Sequence, residues 1–236
     1  MTVYCVRHGP SVANAGGMTT ENAAIPLSAL GLAQAAALPE VFASAVYVQP
    51  SRVLILSYVG ALQTAQPFCK RFGCQAEVDP LLHEFSALDA SLLQGMLGAE
   101  RRPLADAYWQ TADLALRAGP GAETFFELVA RVKAFAATNL SLLPDDSVLF
   151  GHGIWFALLF WRLMGFAIAG LEEIGAFRHF RHKLAMPNGA VCALDKSVRR
   201  WRLRLETAVM RDMARVTTDA APHSAQQVGS ALIARG

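Results

Sequence analysis

The 236 residues are 53% apolar and 17% charged, enough apolar material to bury a sizeable core in one or two domains. A net charge of +2 is too small to imply nucleic-acid or membrane-surface binding by itself. Four cysteines, Cys5, Cys69, Cys74 and Cys192, show no metal-ligand spacing and no disulfide framework, so a reducing, cytoplasmic compartment is expected.

The chain opens on a strand, Val3–Val6, with no basic-then-apolar leader in front of it, so no targeting segment is expected. Ser28 caps a predicted helix through Leu38, which Pro39 is expected to stop. A second strand reads over Val53–Leu56, and a helix follows from about Ala61 to Phe72, ending near Gly73. A short strand at Ala76–Asp79 leads into residues 80–121, dense in Gly, Pro and polar residues, which read as an insertion over the sheet. Phe125, Leu128, Val129, Val132 and Phe135 then share one stripe of a core-facing helix.

Val148–Phe150 is the next strand, and the apolar stretch Ile154–Leu171 follows it. That stretch has the length of a membrane span, but Arg162 sits at its middle and Gly165 and Gly170 interrupt it, so it reads as a buried helix. Ala190–Leu194 and Val198–Leu205 form a predicted hairpin. In its second arm Trp201, Leu203 and Leu205 alternate with Arg200, Arg202 and Arg204, which leaves one face wet. The single domain is therefore expected over residues 1–206, and residues 207–236 as a tail that is either a peripheral helix or partly disordered. The first strands do not alternate with polar residues, so helices should cover both their faces. The predicted fold is α/β, a three-layer domain with a mostly parallel central sheet flanked by helices.

In such sheets ligands bind beyond the carboxyl ends of the strands. Val3–Val6 runs into Arg7-His8-Gly9, and Val148–Phe150 into Gly151-His152-Gly153, so two imidazoles emerge at one rim. A neutral imidazole is a good nucleophile toward phosphorus, and phosphoryl oxygens need cationic and N–H donors. Arg7 offers a bidentate fork, Asn14 an amide, and His152 a donor for charge in the transition state. Glu84, after the apolar Leu81-Leu82, is the candidate acid for a departing alkoxide.

Rival chemistries have less support. His83-Glu84 starts like a metalloprotease motif, but position 87 is alanine and no second histidine follows; His179 and His182 read as ordinary polar histidines. No G-x-S-x-G elbow marks a serine hydrolase. The basic cluster Arg178, Arg181, Lys183, Arg199, Arg200, Arg202 and Arg204 reads as a solvated face rather than a nucleic-acid surface, with its sheet arginines a candidate partner surface.

The segment Arg7-His8-Gly9 with Ser11 and Asn14 resembles the RHG signature of the histidine phosphatase superfamily, which includes the cofactor-dependent phosphoglycerate mutases. Leu27-Ser28 with Gly31 and Gln34-Ala35, Ser57 to Ala65, Gly121 to Arg131 with Glu123 and Glu127, Val148 to Gly153, and Pro187-Asn188-Gly189 are similar to further segments of that family, in order, over about residues 2–205. The resemblance implies a phosphomonoester hydrolase acting on a small phosphorylated metabolite. His8 would become phosphohistidine; Arg7, Ser11, Asn14 and His152 would bind the phosphate, and Glu84 would donate the proton. It implies no metal and no cofactor, no nucleic-acid or membrane partner, and leaves room for a homodimer. Phe85-Ser86-Ala87-Leu88-Asp89 does not resemble the mutase pattern after this glutamate, so hydrolysis is favoured over mutase chemistry by analogy.

One position departs from the pattern. Gly60 stands where the family has a second phosphate-clamping arginine. Losing such a charge can cost about a thousandfold in rate. Arg52 lies at the wrong end of its strand to replace it, whereas Arg101 and Arg102 could fold over the pocket from the insertion. The alternative is a weakened or inactive member of the family that binds a phospho-ligand or a protein.

Overall fold

A computed structural model describes residues 1–111, 113–184, 186–198 and 200–219. Six strands form one sheet: β1 (Thr2–Arg7), β2 (Val53–Ile55), β3 (Ala76–Val78), β4 (Ser147–Gly151), β5 (Val191–Lys196) and β6 (Trp201–Leu205), in the spatial order β3-β2-β4-β1-β5-β6. β1, β2, β3 and β4 run parallel, and β5 is antiparallel to both β1 and β6.

Period-two geometry sends alternate side chains of the central strands to opposite faces. Val3 and Cys5 of β1 join Leu54, Leu149 and Cys192 in one buried cluster; Tyr4 and Val6 join Val53, Ile55, Val148 and Phe150 in another. α1 (Ala29–Val46), α2 (Val59–Phe72) and α8 (Thr207–Asp219) cover the second face. α5 (Phe125–Thr138), α6 (Gly153–Leu163) and α7 (Leu171–Lys183) cover the first, together with the insertion. Its two helices are α3 (Ala90–Leu93) and α4 (Gly98–Thr111), and it buries Tyr108, Trp109 and Leu114. The expected three layers are present.

Local signals explain some helix ends. The Ser28 hydroxyl accepts from Gly31 N–H at 3.1 Å to cap α1, and Thr124 and Glu127 form a capping box on α5. Pro39, however, does not stop α1, which continues seven residues beyond it to Val46. The proline costs one intrahelical hydrogen bond, but Leu38, Pro39 and Phe42 all lie on the buried side. Phe42 packs edge-on against Tyr4 and Phe68, and that tertiary packing prevails over local propensity.

The tail begins with the expected helix, at residues 207–219, but the helix buries Val209 and Met213 in the core and so packs as part of the domain rather than at its periphery. The rest of the expected tail, residues 220–236, lies outside the described residues. Of the stretch Ile154–Leu171 only the part to Leu163 is the expected buried helix, α6, with Trp155 to Trp161 buried; Met164 and Phe166 in the loop after it are exposed, and Leu171 opens α7. α1 is long and apolar enough to cross a membrane, with a mean hydropathy of 1.4, yet it packs on α2 and α8. β6 shows the expected alternation of half-buried Trp201, Leu203 and Leu205 with exposed Arg202 and Arg204.

Candidate active site

β1 and β4 are hydrogen-bonded neighbours in a register that pairs Arg7 with Gly151. The next residue of each strand is therefore a histidine at the same rim, and the His8 and His152 ring centroids stand 4.6 Å apart. Both are 8% exposed. They line a cavity of about 220 Å³ together with Arg7, Ser11, Asn14, Glu84 and Gly60; Asn22, Ile25, Tyr58 and Phe85 complete much of its wall. The sequence thus brings together every expected catalytic and phosphate-binding residue.

His8 is held on three sides. Its Nδ1 lies 2.6 Å from the Gly9 carbonyl oxygen, an acceptor, so that nitrogen carries the proton and Nε2 keeps its lone pair for the pocket. Asn188 Nδ2 donates to the His8 carbonyl at 2.9 Å, and Gly9 N–H donates to the Thr64 hydroxyl at 3.2 Å. Thr64 in turn donates to the Gly60 carbonyl, and Gln63 Oε1 accepts from Leu27 N–H. The Gln63-Thr64 pair thus ties α2 to the His8 loop and the loop before α1. A β-carbon on Gly9 would come within 2.8 Å of the Gly31 carbonyl, so only glycine permits this approach.

Burial, the neighbouring His152 and Arg7 push the His8 pKa down to about 3; burial and Arg7 do the same for His152. Both imidazoles are neutral at neutral pH. Among the described residues, His152 Nε2 and Arg7 Nε are buried with no hydrogen-bond partner. Arg7 Nη1 donates to the Met186 carbonyl at 2.7 Å, and its guanidinium lies so close to Gly153 that a β-carbon there would sit 3.1 Å from its central carbon. Burial lowers the Arg7 pKa while Glu84 opposes the shift. Arg7 and His152 thus bring unpartnered buried polar atoms to one cavity, an environment that suits an anionic group.

Ser11 and Asn14 lock each other: the Ser11 hydroxyl and N–H both donate to Asn14 Oδ1, and Asn14 N–H donates to the Ser11 oxygen. The Asn14 carbonyl oxygen is thereby occupied and its amide hydrogens remain available. Glu84 sits at the N-terminus of α6, where its carboxylate accepts from Ile154 and Trp155 N–H at 3.1 Å each and from Phe85 N–H at 2.9 Å. Of roughly four acceptor positions on a carboxylate, one is left for the cavity. The loop before Glu84 is clamped by Arg131, which donates to the Leu81 and His83 carbonyls and forms a buried bidentate pair with Glu123.

The α2 side of the cavity is bare. A β-carbon on Gly60 would lie 3.5 Å from Leu27 Cδ2, 3.6 Å from the Ile25 carbonyl and 3.8 Å from His8 Nδ1, all ordinary contacts. A side chain has room there. Arg101 does not fill the space: its guanidinium donates to the carbonyls of Ala13, Gly17 and Met96 and to the Thr19 hydroxyl, and so fastens the loop after Asn14 to α4. Arg102 does not line the cavity either. Both fall short of the expected substitution because α4 packs behind the loop rather than over the pocket. Arg52 pairs with Glu77 at the far end of the sheet. Among the described residues no cluster of three His, Cys, Asp or Glu side chains could hold a metal.

The family model of the histidine phosphatase superfamily (branch 1) matches residues 3–207. The chain belongs to that superfamily. Among solved structures, a mycobacterial glucosyl-3-phosphoglycerate phosphatase in complex with VO3 is 26% identical, with 86% of this chain and 97% of that one covered and a TM-score of 0.64. An alpha-ribazole phosphatase from Shigella flexneri is 23% identical, with 87% and 95% covered and a TM-score of 0.67. No curated protein sequence matches.

Sequence reasoning missed Tyr58, whose ring stands 5.6 Å edge-on from His152, and Asn22; neither lies in a pattern that points to the rim. It saw Asn188 only as part of a turn and gave it no role.

Proposed function

We propose that this member of the superfamily hydrolyses a small phosphomonoester through a phosphohistidine at His8. In the first half, the His8 Nε2 lone pair attacks phosphorus as the phosphorus–oxygen ester bond breaks; Glu84 enters this step as the carboxylic acid, gives its proton to the departing oxygen and is left as the carboxylate. Arg7, His152 and the Asn14 amide hold the three non-bridging oxygens as their charge grows. In the second half, Glu84 takes a proton from water, water oxygen attacks phosphorus, the phosphorus–nitrogen bond breaks and inorganic phosphate leaves.

The observation that carries this reading is the pairing of a buried neutral imidazole, His8, with Arg7 and His152 on the same cavity, each with an unpartnered buried nitrogen among the described residues. Hydrolysis of p-nitrophenyl phosphate by wild type and His8→Ala tests it. Turnover that falls at least about a thousandfold in the variant supports the reading. Equal rates in two folded proteins would overturn it.

Gly60 favours a second reading, a phospho-ligand binding module without turnover, because the α2 wall holds no cation. The same assay separates the two: a folded wild type that binds phosphate yet releases none from the aryl ester is the binding module.

A further inference from the structure

Beyond Glu84 the cleft continues into a second cavity of about 650 Å³. It shares Arg7, Asn14 and Glu84 with the first, and Arg181 and His182, from the last turn of α7, stand on its far side. His8, His152 and Gly60 do not line it. The proton donor marks the side on which the ester oxygen departs, so the group attached to that oxygen extends past Glu84 into this second cavity.

Arg181 is built into that wall. Its guanidinium carbon lies 4.7 Å from the centroid of the buried Trp109 ring. Arg178 stands 5.7 Å from the same ring and donates to the Trp109 carbonyl at 2.5 Å. Among the described residues, Arg181 Nε is buried with no partner, and the one polar contact of its guanidinium is Nη2 to His182 Nε2 at 3.3 Å. Among the described residues no carboxylate forms an ion pair with it. A guanidinium half withdrawn from water, held by an aromatic shelf and left without a counter-ion is costly unless an anion completes it. Burial, Arg178 and Arg7 all act against its charge, and only Glu84 favours it.

We propose that Arg181 and His182 form a leaving-group subsite for a second anionic group, so that the preferred substrates are phosphomonoesters whose alcohol portion carries a carboxylate or a further phosphate. The planar fork of Arg181 matches either anion in a bidentate fashion. This assignment rests on the phosphatase reading and deepens it: Arg7 and His152 take the transferred phosphoryl group, and Arg181 selects what it is attached to. It also separates Arg181 from the gap at Gly60, which lies on the other side of the cleft next to His8.

Paired esters test the proposal. 4-Carboxyphenyl phosphate against phenyl phosphate reads a carboxylate, and 1,3-propanediol bisphosphate against propyl phosphate reads a second phosphate. Wild type is expected to favour the doubly anionic member of at least one pair by about tenfold to a hundredfold in kcat/KM, the range of a charge-assisted hydrogen bond. Arg181→Met, which keeps a stem to pack on Trp109, is expected to cut that preference at least about fivefold, and Arg181→Lys to retain part of it. A wild-type preference near one in both pairs overturns the subsite without any variant. So does an equal loss on both members of each pair in Arg181→Met, which would place Arg181 on the shared phosphoryl group. If wild type hydrolyses none of the four esters, the phosphatase reading fails by itself. Titration calorimetry with the same esters then decides the subsite: tighter binding of a doubly anionic ester, lost in Arg181→Met, keeps it, and equal or absent binding overturns it.

Discussion

The two walls of the phosphate pocket were built by different rules. One is the rim of the sheet, where β1 and β4 end side by side and deliver Arg7, His8 and His152. The other is the first turn of α2, where Gly60 faces the same cavity with no side chain at all. Register fixes the first wall: moving either histidine would shift strands whose alternate residues fill two buried clusters. Nothing comparable fixes the second. Thr64 and Gln63 still tie α2 to the His8 loop, so the helix keeps its position whether or not a cation projects from it. The rim can therefore keep its geometry while the opposite wall carries no side chain.

That contrast can be broken most sharply at Arg7. Arg7→Met removes the one cation of the furnished wall, and kcat/KM for p-nitrophenyl phosphate is expected to fall by about a thousandfold or more. A loss under tenfold would show that the rim does not carry the phosphoryl charge. The reverse experiment furnishes the bare wall. A β-carbon at Gly60 meets only ordinary contacts, so Gly60→Arg is expected to fold and to raise kcat/KM for the same ester by about tenfold to a thousandfold. A folded Gly60→Arg protein no faster than wild type would show that the second wall no longer takes part.

The smallest expected effect distinguishes the walls by pH. His8 and His152 titrate near 6.5 in the unfolded chain and at about 3 in the fold, so between those values the unfolded state binds more protons. Stability is therefore full above about pH 6.5 and declines as pH falls toward 3, by about 2 kcal/mol per histidine on going from pH 7 to pH 5. Urea unfolding at the two pH values should show this decline, and His8→Asn should remove one histidine's share. A midpoint that does not move between pH 7 and pH 5 would mean that the rim histidines are not held neutral by burial.

The rim was legible in the sequence because it needs only local information: an apolar run that does not alternate, followed at once by a histidine beside glycine. Two such runs in a parallel sheet must open on one edge, and Arg7, His8 and His152 follow. Glu84 was legible by its place after Leu81-Leu82, although its seat at the α6 N-terminus was not. The structure departed from the sequence reading where long-range packing decides. Pro39 lies inside α1 because Phe42 has aromatic partners on the sheet and on α2. Residues 207–219 pack against the core through Val209 and Met213, on a helical stripe shared with Met210 and Val216 that the polar composition of the segment obscured. Arg181 looked like one of a run of surface arginines. In the fold α7 turns it toward Trp109 and Glu84, while Arg202 and Arg204 stay on the wet face of β6.

The central claim is that His8 Nε2 forms a covalent bond to phosphorus. Mass spectrometry of the protein quenched in alkali during turnover of p-nitrophenyl phosphate reads it directly. The expected result is an added phosphoryl group on the peptide containing His8, labile to acid and absent from His8→Ala. Turnover in wild type with no phosphorylated His8 under quench conditions that preserve phosphohistidine would contradict it.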